Sequence, residues 1–77
     1  VTDLQQLKIQ RMVAVLDWCA TANLDGRMPA SVYSDIVIAY MLEATTAGVW
    51  SMVCASLMAR GHAMFADMLK KEAGYAA

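Results

Sequence analysis

Polar residues in the first third of the chain fall on one side of a helix. Asp3, Gln6, Gln10, Asp17 and Thr21 recur at three-, four- and seven-residue intervals, the period of an α-helix with one solvated stripe. Opposite them lie Ile9, Met12, Leu16, Cys19 and Ala20, and a second apolar line runs through Leu4, Leu7, Val15 and Trp18. The apolar arc is too wide for an edge helix that touches a single neighbour. Thr2 followed by Gln5 matches a capping box, and Asp3 suits the positive end of the helix dipole. Asp25-Gly26 predicts the stop, with Gly26 in the left-handed conformation that closes a helix. Pro29 then holds Met28 extended, and either Pro29 or Ser31 opens the next helix. The short link from Asp25 to Ala30 predicts an antiparallel hairpin.

The second helical region, from about Pro29 to Glu43, is apolar almost all round. It carries Val32, Ile36, Val37, Ile38, Tyr40, Met41 and Leu42, against only Asp35 and Glu43 as charges. That pattern predicts a central helix. The β-branched run Ile36-Val37-Ile38 is the one local argument for a strand, but no period-two alternation accompanies it. Thr45-Thr46-Ala47-Gly48 reads either as a break or as the interior of one helix from Pro29 to Ala73. The continuous form would be about 65 Å long and would need a partner chain to cover it; a break or kink is the favoured reading.

Towards the C-terminus, Trp50, Cys54, Leu57, Gly61, Met64 and Met68 share one face, with Met58 and Phe65 beside them. Ser56, Arg60, Ala63, Asp67, Lys70 and Lys71 share another. This predicts one amphipathic helix to about Ala73, ended by Gly74, with Tyr75 folding back on Leu69. A narrow sector holds Ala44, Gly48, Ser51, Ala55, Ala59, His62 and Ala66, residues mostly small enough for two helices to approach closely. We assign it as the expected homodimer contact. The fold class that follows is all-α: a helical hairpin plus a long C-terminal helix, three helices or two if the last two are continuous, completed by dimerisation.

Composition bears directly on dimerisation. Hydrophobic residues make up 60% of the 77 positions. A chain this short buries only about 60% of its extended-chain surface on folding. Apolar side chains are therefore left to face a second copy, a partner protein or a membrane. The seven methionines suit an adaptable apolar surface. Trp, Tyr and Arg dominate binding hot spots, so Arg27, Met28, Tyr33 and Trp50 are the candidate partner-binding residues.

The remaining chemistry is sparse. A net charge of −1, with only Lys70 and Lys71 adjacent among the basic residues, gives no basic face for direct nucleic-acid binding. Ala44–Ala59 is free of charge, yet it is shorter than the ~20 residues that span a bilayer and is interrupted by polar positions. Asp3, Lys8 and Arg11 break any signal-peptide pattern. Cys19 and Cys54 read as buried, reduced thiols, and a cytoplasmic setting is the simplest. His62 stands alone, without a metal-site spacing. Asn23-x-Asp25-Gly26 lacks the carboxylates of a calcium loop at its first and last positions, Thr21 and Val32. No phosphate loop or nucleophile elbow occurs, so no cofactor, metal, small-molecule substrate or catalysis is expected.

The expected function is non-enzymatic protein–protein interaction. In its most concrete form this is a homodimeric regulator or inhibitor of a larger protein such as a transcription factor. Its size suits an accessory factor of a phage or other mobile element. The alternatives are a self-assembling scaffold subunit and a membrane-associated helical protein.

Overall fold

The structure, a computed structural model, describes residues 3–67, and every regular element among them is helical. α1 spans Asp3–Leu24, α2 Ala30–Thr46 and α3 Trp50–Ala59; a fourth helix, α4, begins at 64 and is followed to 67. The all-α class therefore holds, but the described residues form four helices. The expected cap at Thr2, the Lys70/Lys71 face and the closure at Gly74 with Tyr75 lie outside the described residues.

What cuts the expected long helix is glycine, twice. At Gly48 (φ +75°), Val49 N–H donates to Ala44 O at 2.8 Å and Gly48 N–H to Thr45 O at 3.0 Å. At Gly61 (φ +91°), His62 N–H donates to Leu57 O at 3.1 Å and Gly61 N–H to Met58 O at 3.0 Å. These paired bonds form the Schellman closure, which satisfies carbonyls left over at a helix end and needs a left-handed residue. The break favoured at 45–48 is present. The helix expected to run on to Ala73 is not: it stops at Ala59 and restarts at 64. Periodicity placed Gly61 on the apolar stripe, whereas the backbone uses it as a stop.

The hairpin turn is built as the sequence indicated. Arg27 N–H donates to Ala22 O at 2.8 Å and Gly26 N–H to Asn23 O at 3.1 Å. The Asn23 side chain adds a clip, its Nδ2 donating to Met28 O at 3.0 Å. Pro29 takes the N-cap position of α2 with extended backbone (φ −60°, ψ 146°), and no side chain caps that end.

One core joins all four helices. From α1 come Ile9, Met12, Val13, Leu16, Cys19 and Ala20; from α2, Tyr33, Val37 and Ala44; from α3, Trp50, Val53, Cys54 and Leu57. Phe65 of α4 is fully buried and meets Trp50 edge-on, with ring centroids 6.3 Å apart at 66°. The expected central position of α2 is overturned. Val32, Ile38 and Leu42 are 44%, 49% and 62% exposed, so α2 lies along one side with its outer face open. The centre is α3, where Val53, Cys54 and Leu57 have no exposed surface. All-round apolarity marked a helix with two apolar faces, only one of which the monomer covers.

Candidate interaction surface

The sequence-assigned partner residues divide between core and surface. Trp50 is 2% and Tyr33 8% exposed, so both are core side chains and present little to a partner. Each sits on the inward face of its helix, which composition alone does not distinguish from an outward one. Met28 is half-buried against the core, and Arg27 is exposed, paired with Asp25 Oδ2 at 3.0 Å across the turn.

The small-residue sector loses its continuity. It required one helix through Gly48 and Gly61, and both positions are helix stops. Ala44 is fully buried in the monomer core. Ser51, Ala55 and Ala59 stay together on the exposed side of α3, Gly48 sits in the preceding turn, and Ala66 is half-buried on α4. His62 is turned to another partner: its Nε2 lies 2.5 Å from Asp17 Oδ1 on α1. Arg60 Nη1 donates to the other oxygen, Asp17 Oδ2, at 3.0 Å.

Asp17 thus ties the α3–α4 turn to α1. Its carboxyl pKa is lowered, chiefly because His62 hydrogen-bonds the carboxylate; partial burial opposes this, and Arg60 adds to the lowering. The sequence reading placed Asp17 on the solvated stripe. Helical period reports which residues share a face, but it carries no signal for a contact between positions 43 and 45 residues apart.

Burial pushes the Cys19 thiol pKa up, away from the thiolate that a nucleophile needs. Burial, and then Cys19, raise the Tyr33 phenol. Among the described residues no cluster of His, Cys, Asp and Glu could hold a metal ion, and no helix is long and apolar enough to cross a membrane. An open crevice of about 120 Å³ is lined by Gln5, Lys8, Ile9, Met12, Glu43, Ala47 and Val49. That is well below the roughly 300–1,000 Å³ of small-molecule sites.

What the surface does offer is apolar side chains. Leu4, Leu7, Trp18 and Leu24 of α1 are 64%, 61%, 60% and 80% exposed. Met52, Met58 and Met64 are exposed by about two-fifths each, in addition to the outer residues of α2. Of the second apolar line predicted on α1, only Val15 packs against the core. Comparison with protein families, curated proteins and solved structures finds no match to this chain.

Proposed function

We propose that this protein is a non-enzymatic helical interaction module that acts as a homodimer and docks on a larger protein as a regulator or inhibitor. One observation carries the reading. Large apolar side chains stay exposed on α1 and α2, whose inner faces are already taken up by the core. Isolated surface hydrophobics are ordinary, but several on one helix face mark a contact surface. The docking patch for the larger protein comprises Leu24 and Arg27 at the hairpin turn and Val32, Ile38 and Leu42 on the outer side of α2. Arg27 keeps the role assigned from sequence, as a charged group at the edge of an apolar patch.

The test is affinity capture from native lysate with wild type and with Leu42→Glu, followed by identification of bound proteins. A larger protein retained by wild type and lost with Leu42→Glu is the expected result. Recovery of this chain alone would overturn docking on a larger protein. It would favour the second reading, a self-assembling scaffold subunit, which is supported by exposed apolar residues on α1, α2 and α3 together.

A further inference from the structure

The outer face of α1 follows a stricter rule than the other exposed faces. Leu4, Leu7, Arg11, Ala14 and Trp18 alternate at three- and four-residue spacing, the a and d positions of a heptad. All five are exposed, and they lie across the helix from Ile9, Met12 and Leu16, which are buried. α2 offers Ser31, Asp35, Ile38 and Leu42 at the same spacing, with a carboxylate in the middle. On the outer side of α3, Ser51, Ala55 and Ala59 are small, and the large side chains Met52 and Met58 are only 41% and 39% exposed.

We infer that this face of α1 is a parallel, two-stranded seam for a second copy of the chain. The inference rests on the interaction-module reading and deepens it. Charge along the two edges of the seam selects the occupant and its direction. Asp3, Gln10 and Asp17 take the g positions, while Lys8 and Val15 take the e positions. In a parallel pair, g faces e five residues on, so Asp3 meets Lys8 of the partner subunit, and the two-fold axis repeats the contact. An antiparallel pair would leave Asp3 without the Lys8 contact, since Asp17 on the same edge is already held by Arg60 and His62, and would set the Lys8 edge against itself. Arg11 occupies the central a position, where a polar residue lowers affinity but fixes register and restricts strand number. A trimer would bring three guanidiniums together there.

Preorganisation removes the usual objection to so short a seam. Leu4 to Trp18 covers about 21 Å, and an isolated helix of that length is marginal. Here the inner face of α1 is already fixed by the core, so association need not fold the helix. Trp18 supplies the large anchor, and the small Ala14 lets the backbones approach. With few anchors per copy and Arg11 at the centre, a dissociation constant on the order of 1–100 μM is expected.

Sedimentation equilibrium from about 5 to 500 μM tests the seam with the wild type, Leu7→Glu, Asp3→Lys, Lys8→Glu and the double variant Asp3→Lys/Lys8→Glu; about 500 μM lies above the 1–100 μM range of a modest interface. The expected wild-type mass rises to that of a dimer. Leu7→Glu weakens association at least about tenfold, in keeping with a lost interface anchor. Each single reversal weakens it several-fold, and the double variant restores it. Circular dichroism on each variant checks folding; if Leu7→Glu unfolds, the charge swap decides. Leu4→Cys tests direction, because oxidation should cross-link a parallel pair at that position, with the wild-type chain as control for Cys19 and Cys54. A wild type that stays monomeric overturns the seam, as does failure of the double variant to restore association. A dimer indifferent to both Leu7→Glu and the charge swap also overturns it, yet leaves the interaction-module reading standing. Lysate capture decides the docking function separately.

Discussion

α1 has two apolar faces of similar make-up in different surroundings. On one, Ile9, Met12 and Leu16 are 5%, 4% and 0% exposed; on the other, Leu4, Leu7 and Trp18 keep about three-fifths of their surface. The same contrast separates the two tryptophans. Trp50 opens α3 at 2% exposure and stacks edge-on against Phe65, while Trp18 is 60% exposed on α1. Residue type therefore does not decide burial in this chain; position relative to the single core does. A face that closes the core stabilises the monomer, whereas a face turned away from it can contribute only when something docks there.

The strongest way to break the contrast is to remove its inner side. Trp50→Ala should cost on the order of 3–5 kcal/mol, and Phe65→Ala a comparable amount. A domain of this length has about 4–12 kcal/mol in total at typical per-residue stability. Urea unfolding followed by circular dichroism should show a large drop in midpoint at unchanged slope. A shift of only a few tenths of a kcal/mol would mean that the Trp50–Phe65 contact does not anchor α4.

Next in size is the turn that brings α4 back to the core. A Cβ on Gly61 would meet nothing within 4 Å, so Gly61→Ala adds no clash and tests the left-handed backbone alone (φ +91°). The expected cost is about 1–2 kcal/mol in the same urea experiment. If Gly61→Ala is neutral or stabilising, the closure there is not required, and a longer continuous helix becomes the better description.

These two effects also mark where the sequence was legible. The inner line of α1 and the hairpin stop at Gly26 could be read, because 3.6-residue period and Asp-Gly chemistry are local signals. Gly48 was ambiguous and Gly61 misread, because a glycine within an apolar period looks the same whether it lies in a helix or ends one. The central place given to α2 failed for a related reason. Hydropathy counts apolar residues, and it does not say how many neighbours exist to cover them. Nor did composition show that Trp50 and Tyr33 face the core, or that Leu4, Leu7 and Trp18 of the second apolar line on α1 stay exposed. Asp17 was hidden because Arg60 and His62 reach it through tertiary structure.

That clasp gives a smaller, pH-dependent effect. The Asp17 carboxyl is held below its ordinary value of 3.8, so the folded state binds its proton more weakly than the unfolded state does. Its contribution is fully present above that ordinary value and is lost as pH falls through the lowered folded value. With Asp17 and Arg60 side chains 34% and 51% exposed, Asp17→Asn should cost less than about 1 kcal/mol near neutral pH. Thermal unfolding of both proteins as a function of pH should show the gap closing in the acid range. A gap that is constant down to about pH 2, well under the usual Asp range, would assign the loss to packing rather than charge.

The smallest expected effect sharpens the comparison most. Trp18→Ala removes a side chain of the same type as Trp50, but from the face the core does not use. In dilute solution its stability should stay within about 0.5 kcal/mol of wild type, as for a surface substitution away from special features. If a second copy covers that face, the wild-type melting temperature rises with protein concentration, because association stabilises only the folded state. Trp18→Ala should flatten that rise while leaving the dilute value unchanged. A large loss in dilute solution would mean instead that Trp18 supports the monomer fold, and the division between the two faces of α1 would fail.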